Sequence, residues 1–451
     1  MADTIVALAT PPGVSGIAVI RLSGDNAIDI AASCFQGKTD LRNSPTHRIY
    51  YGKFVNNSEF IDDVTVSIFH KPNSYTGEDV VEISCHGGMI IYNEIIKTLI
   101  HNGARLAQPG EYTKRAFING KMDLLQAEAV ADLINSVSYI SEQTSARQLF
   151  GEFTNHISKF RKDLIDIASI LEIELDFIDD DVEFVSKTKI KNKIIEIKKF
   201  DQTLIDSYKS AQILRSGYFV AIVGYPNSGK STLFNTLLKR NRAIVSEVPG
   251  TTRDYLEEYI YLDAIPIKLI DTAGIRQTTD IIEIEGIKFV QSLLEQSNMI
   301  LVLNDASISL NNSNNLYHKL NTTYKSSKTV LIQNKIDKIE NIGNFENKEN
   351  EIYISAKTGT GIEKLTKTIS DNALQSINRE QDVLLNMRHY EILEKVKENL
   401  ENALISIEAN MGNEFIAMDI RSALNHLGEL TGEVYNEEIL NNIFSKFCIG
   451  K

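Results

Sequence analysis

The strand-like run YFVAIVG, residues 218–224, leads straight into GYPNSGKST, residues 224–232. Gly224, Gly229, Lys230 and Ser231 stand at the spacing of a phosphate-cradling loop that opens a helix. Such a loop works because backbone N–H groups and the helix N-terminus bind phosphate oxygens. It therefore requires a parallel α/β sheet beneath it, with the loop at a strand's carboxyl end. Asn227, Ser228, Gly229, Lys230, Ser231 and Thr232 are the candidate phosphate contacts. Lys230 is expected to neutralise the β and γ oxygens, and the Ser231 hydroxyl to ligate Mg2+.

Four further motifs follow in order: GTTRD (250–254), DTAG (271–274) after IPIKLI, NKID (334–337) after TVLIQ, and SAK (355–357) after EIYI. Asp337 selects the base, because its carboxylate can accept from guanine's N1–H and exocyclic amine, which adenine cannot offer. GTP rather than ATP is the expected ligand. Asn334 and Lys335 should support the base loop, with Ser355, Ala356 and Lys357 beside it and the Ala356 N–H meeting the guanine oxygen. The segment Ser246, Glu247, Val248, Pro249, Gly250, Thr251 and Thr252 is the expected switch, Thr252 reaching Mg2+ and the γ-phosphate. Asp271 should hold a Mg2+-bound water, flanked by Thr272, Ala273 and Gly274.

The residue after DTAG is Ile275, where Ras-like enzymes carry the glutamine that orients the attacking water. Isoleucine can do neither acid–base nor hydrogen-bonding work. Gln277, Asp280, Glu283 and Glu285 are the candidates to replace it, and Arg253 or Arg276 could supply charge. Asn227 offers a carbonyl that could hold a monovalent cation beside the phosphates.

Around this α/β domain, the sequence texture predicts a multidomain α+β and α/β chain. Residues 1–118 mix β-like runs (TIVALAT, GIAVIRL, DVTVSIF, DVVEIS) with turn signals and one helix near 89–102. Residues 119–214 read as helical: Leu125, Val130, Leu133, Ile134, Val137 and Ile140 recur at helical spacing, with further stripes at 160–175 and 190–214, interrupted by DFIDDDVEF. Residues 215–373 alternate β and α, and 374–451 are helical again. A Ras-like P-loop domain inserted into a helical domain is the simplest reading.

With 43% hydrophobic residues, 25 Gly and 8 Pro in 451 positions, the chain has enough core material for several folded domains. No apolar run reaches the roughly 18 residues that a membrane span needs, and the start lacks a basic, apolar leader, so a cytoplasmic protein with no membrane contact is expected. A net charge of -13 removes whole-molecule attraction to nucleic acid and leaves any RNA contact to a local patch or a partner. Three scattered cysteines, Cys34, Cys85 and Cys448, make neither a disulfide framework nor a zinc cluster. Cys448 in the terminal FCIGK reads either as small apolar packing or as a thiol with a cation, Lys451, nearby.

From end to end the chain resembles the tRNA-modification GTPases of the TrmE-Era-EngA-like GTPase family. The resemblance rests on DTIVALATPPGVSGIAVIRLSG, SYTGEDVVEISCHGG, QPGEYTKRAFINGKMDLLQAEAVADLI, GYPNSGKST, GTTRD and the terminal FCIGK. It implies a homodimer joined through the N-terminal domains, in which K+ takes the place of an arginine finger and is held by Asn227, Ser246, Val248 and Thr251. It puts the water-orienting acid at Glu283. It also implies an N-terminal folate-binding-like module, with Arg21, Glu82 and Lys121 as folate contacts and Lys451 approaching from the tail. 5-Formyl- or 5,10-methylene-tetrahydrofolate would be the one-carbon source, and Cys448 would lie near that chemistry. A flavoprotein partner, MnmG, would complete a heterotetramer that modifies C5 of the wobble uridine (U34) of certain tRNAs. Two other functions remain open at this point: a ribosome-assembly GTPase, and a folate-dependent one-carbon transferase with a regulatory GTPase.

Overall fold

The computed structural model describes residues 3–176, 187–241, 257–271, 283–308, 311–339, 350–377 and 383–451. By contacts the chain divides into two compact units. One comprises Met1–Ala131, Arg147–Ile194 and Glu398–Lys451, and the other Asp132–Ala146 and Ile195–Lys397.

The first unit begins with a mixed sheet. Its strands are β1 (Ile5–Leu8), β2 (Ser15–Ser23), β3 (Phe35–Gly37), β4 (Arg48–Asn56), β5 (Glu59–Phe69), β6 (Val80–Gly87) and β7 (Arg105–Leu106), in the order β3-β4-β5-β6-β2-β1-β7. Strand β5 alternates buried and half-buried residues along EFIDDVTVSIF, so one face packs inward. That face is covered by α1 (Ala27–Cys34) and α2 (Met89–His101), which close a core of Ile20, Leu22, Phe54, Val66, Ile83, Ile95 and Leu99. Antiparallel pairing of β2 with β6 sets Arg21 opposite Glu82.

Helices then dominate: α3 (Glu111–Ile118), α4 (Leu124–Ile134), α5 (Tyr139–Leu149), α6 (Glu152–Asp176) and α7 (Lys187–Ser216). The apolar series expected from Leu125 to Ile140 spans a break rather than one helix. Ser138 Oγ accepts from the Ser141 N–H at 3.1 Å and so starts α5 afresh. Most of DFIDDDVEF lies outside the described residues.

In the second unit the sheet is built from β8 (Tyr218–Gly224), β9 (Glu257–Leu262), β10 (Ile265–Asp271), β11 (Met299–Asp305), β12 (Lys328–Asn334) and β13 (Glu351–Tyr353), ordered β13-β12-β11-β8-β10-β9. Strand β9 is antiparallel to β10, and the other pairings are parallel. Strand β11 is buried at every position, as a parallel strand covered on both faces must be. Its helices are α8 (Lys230–Asn241), α9 (Glu283–Gln296), α10 (Asn311–Thr323) and α11 (Ile362–Gln375). The phosphate loop follows β8, Asp271 of DTAG ends β10, NKID follows β12 and SAK follows β13, while GTTRD lies outside the described residues.

The chain ends in α12 (Met387–Glu408), α13 (Asn413–Thr431) and α14 (Glu437–Phe444). Helix α13 lies along α6, tied by ion pairs Arg421–Glu172 at 2.9 Å and Arg161–Glu433 at 2.8 Å. Helix α14 starts on Asn436, which accepts from the Glu438 N–H, and carries Glu437 and Glu438 in its first turn. Its apolar side places Leu440 and Phe444 against Leu124, Ala127 and Val130, with Phe447 of the tail beside them. Burying three such side chains contributes roughly 1.5–3 kcal/mol each.

The expected boundaries at 118 and 214 fall at the end of α3 and in the last turn of α7, and 373 in the last turn of α11, whereas the two compact units divide within α4, α5, α7 and α12. No helix among the described residues is long and apolar enough to cross a membrane.

Asp201 on α7 is fully buried, and neither carboxylate oxygen has a hydrogen-bond partner among the described residues. Burial pushes its pKa up to about 8; Glu394 adds to the shift and Lys397 opposes it. A carboxyl raised in the folded state gives stability that is complete below its unfolded value of about 3.9 and is lost as pH climbs to about 8. Asp201→Asn should therefore raise Tm by several degrees at pH 8 and by much less at pH 5. Thermal unfolding at the two pH values checks this.

Candidate functional site

The phosphate loop between β8 and α8 is shaped by contacts from two neighbouring loops. Lys230 Nζ donates to the Gly224 and Tyr225 carbonyls at 2.9 and 3.0 Å, which curls the lysine back over the loop. Asn334, at the end of β12, donates from Nδ2 to the Ser228 carbonyl at 2.8 Å and accepts at Oδ1 from the Ala356 N–H at 3.0 Å. Lys335 Nζ donates to the Asn227 carbonyl at 2.6 Å and to Asp305 Oδ2 at 2.7 Å. Gly229 has φ +97, and a Cβ there would stand 2.3 Å from Asn334 Nδ2. The glycine is needed for this crossing as much as for close approach to phosphate.

On the base side, Ser355 Oγ donates to Asp337 Oδ1 at 2.6 Å. That bond, foremost, holds the Asp337 carboxyl below its ordinary value. It also fixes the carboxylate's orientation. Thr236 Oγ1, from α8, donates to the Ala356 carbonyl at 2.9 Å and so anchors the same loop from below.

The hydroxyl of Ser231 donates to Asp271 Oδ2 at 2.8 Å, and Asp271 is 2% exposed. A hydroxyl and a carboxylate converging beside Lys230 form an oxygen donor set that fits Mg2+. Ser228 Oγ is buried without a hydrogen-bond partner among the described residues, a further unspent polar atom in the loop.

Asn227, Ser228, Gly229, Lys230, Ser231, Asp271, Asn334, Lys335, Asp337, Ser355 and Ala356 are thus gathered around one loop, with Thr232 in the first turn of α8 and Lys357 near enough to act on the Asp337 carboxylate. Ser246 through Thr252, Arg253, Thr272 through Gln277 and Asp280 lie outside the described residues. Glu283 and Glu285 fall in the first turn of α9, their side chains outside what is described. Sequence reasoning missed Asp305 and Thr236. Asp305 carried a signal, since it closes the apolar strand MILVLND beside the base loop.

A second cluster sits in the first unit. Arg21 pairs with Glu82 at 2.7 Å, and the Tyr75 and Tyr112 rings lie 5.5 and 5.7 Å from its guanidinium carbon. Tyr112, fully buried, donates its hydroxyl to the Arg21 carbonyl at 2.6 Å. The tail reaches this point: Arg21 Nη1 donates to the Gly450 carbonyl at 3.4 Å, and the Gly110 N–H to the Cys448 carbonyl at 3.4 Å. Gly450 has φ +97, and a Cβ there would stand 2.4 Å from the Leu8 carbonyl. Lys451 is half-buried; burial first, then the Arg21 charge, lowers its pKa, while Glu82 and Cys448 pull the other way. Cys448 itself is exposed. Lys121, just after α3, donates from Nζ to the Pro72 carbonyl at 3.0 Å. The two tyrosines had no signal beyond their type.

A mostly parallel sheet carrying a phosphate loop after β8 and a locked base loop after β12 is the architecture of a GTP-binding hydrolase. Residues 4–121 match the family described as GTP-binding protein TrmE N-terminus, and residues 124–448 the one described as MnmE helical domain. Over its full length the chain is 44% identical to the tRNA modification GTPase MnmE of Cytophaga hutchinsonii, of which it covers 98%. It is 42% identical to the protein of that name from Christiangramia forsetii and 43% identical to that from Flavobacterium psychrophilum, in each case over the whole chain and 99% of the relative. The chain belongs to the tRNA modification GTPase MnmE family.

Replacing Asp337 by Asn puts an N–H donor where guanine needs an acceptor and where xanthine presents a carbonyl. Asp337→Asn should lose GTP hydrolysis by about a hundredfold or more and gain activity on xanthosine triphosphate. Rates with the two nucleotides measure it.

Proposed function

We propose that this chain hydrolyses GTP to GDP and phosphate and couples that reaction to modification of C5 of the wobble uridine of certain tRNAs. The observation that carries the nucleotide half is the base loop locked onto the phosphate loop through Asn334 and Lys335. Family membership supports the tRNA half.

In this reading Lys230 neutralises the phosphate oxygens, and Asn334 keeps base and phosphate subsites in fixed relation. Water attacks the γ-phosphorus, and the bond to the β–γ bridging oxygen breaks. Glu283 orients that water in place of the inert Ile275. Ser231 and Thr252 would hold Mg2+, and Asn227, Ser246, Val248 and Thr251 would hold K+, the ions supplying positive charge where negative charge builds between β and γ phosphates. Ser246, Val248, Thr251 and Thr252 enter as proposals from family resemblance.

The Arg21–Glu82 pair under two tyrosine rings suits a flat heterocycle with an amino edge, which Glu82 can accept and Arg21 can flank. We assign it, with Lys121 and Lys451, to 5-formyl- or 5,10-methylene-tetrahydrofolate. Cys448, whose charge acts on the Lys451 ammonium, would serve as a nucleophile or proton carrier there. A homodimer acting with the flavoprotein MnmG on tRNA, in the cytoplasm, completes the proposal.

GTP hydrolysis is expected to run well above its NaCl rate in KCl, and equal rates would remove K+ from the account. Glu283→Ala should abolish hydrolysis while leaving binding of a fluorescent GTP analogue intact. Cys448→Ser should keep full GTPase activity and lose tRNA modification; a variant that still modifies tRNA fully would remove the thiol.

A further inference from the structure

Asp305 ends β11, and the register with β12 places it opposite Asn334. Its carboxylate is buried yet fully engaged. Oδ2 accepts from Lys335 Nζ at 2.7 Å, while Oδ1 accepts from Ser307 Oγ at 2.6 Å and from the Ser307 N–H at 3.1 Å. Burial works to raise this carboxyl, and the hydrogen bonds from Lys335 and Ser307 together outweigh it, so it stays ionised. The same Lys335 ammonium reaches the Asn227 carbonyl at 2.6 Å.

Two backbones in this chain of contacts are left-handed without being glycine: Asn227 at φ 64 and Lys335 at φ 66. Such conformations persist only where surrounding contacts hold them. A lysine stem has four carbons and free rotamers, so an ammonium with one carbonyl partner would not by itself stay in register. Asp305 removes that freedom, and Ser307, bonding twice to Oδ1, fixes Asp305 in turn.

We infer that Asp305 is a positioning residue for the phosphate loop: acting through Lys335, it fixes the Asn227 carbonyl and with it the left-handed apex of the loop. The carboxylate's link to the loop runs through the Lys335 ammonium. Its effect is on how well the loop is shaped to bind, so it acts on nucleotide affinity and KM rather than on kcat. The inference rests on the reading of this loop as a guanine-nucleotide site.

Binding of mant-GDP to the full chain tests it, with Asp305→Asn, Lys335→Met and the double variant beside wild type. Asparagine keeps the shape and an acceptor but loses the charge. Asp305→Asn should weaken mant-GDP about tenfold and raise the KM for GTP in step. The same change on the Lys335→Met background should cost less than about twofold, because its route is already cut. Wild-type affinity in Asp305→Asn, or a loss that repeats in full without Lys335, overturns the inference. If Asp305→Asn does not fold, Ser307→Ala carries the same test: an about threefold loss that vanishes on Lys335→Met supports it, and no loss, or a loss that persists, overturns it. A wild-type chain that fails to bind mant-GDP would instead sink the nucleotide reading itself.

Discussion

The side-chain amide of Asn334 gives its N–H to the Ser228 carbonyl in the phosphate loop and takes the Ala356 N–H in the base loop, and it is 2% exposed. Three separate stretches of sequence meet there. An aspartate would set a carboxylate against the Ser228 carbonyl, and a leucine would leave both partners buried and unpaired, at a cost of about 1–3 kcal/mol each. Gly229 is the other half of this constraint, since any side chain would occupy the place of the amide. Because phosphate and base subsites share one rigid connection, a nucleotide is read at both ends by a single preformed surface. Lys335 and Asp305 run beside it as a second, charged connection between the same loops.

The first unit solves a different problem. An arginine and a glutamate set opposite each other by strand register form a half-buried pair, and the faces of two tyrosines close over the guanidinium. The last residues of the chain are delivered to that place by α14, whose apolar side is consumed against α4. The backbone then has to pass within contact of Leu8, which only Gly450 permits. The short FCIGK tail is therefore a structural part of the Arg21 cluster, and its exposed thiol stands at the edge of it.

Much of this was legible because it depends on short-range rules. YFVAIVG, the glycines of GYPNSGKST and the NKID and SAK motifs specify strand ends and loop types, and they appear as β8, β12 and the loops after β12 and β13. The apolar stripes at 160–175 and 190–214 appear as α6 and α7. What escaped notice depends on partners far away in sequence. Strand β4 (RIYYGKFVN) buries few of its residues and so has weak alternation, and α1 is only 8 residues long. Asp201, Asp305 and Thr236 are ordinary polar residues until the fold places a second element against them. The roles assigned to K+, tetrahydrofolate and the tail cysteine came from resemblance, since no local pattern in the chain encodes a ligand assembled from distant segments.

The GTP-binding unit of this chain serves tRNA modification. The most direct measurement is nucleoside analysis of tRNA from cells that lack the chain. Wobble uridine should be left unsubstituted at C5 in a subset of tRNAs, with the modification restored when the chain is supplied. Identical nucleoside profiles with and without the chain would contradict it.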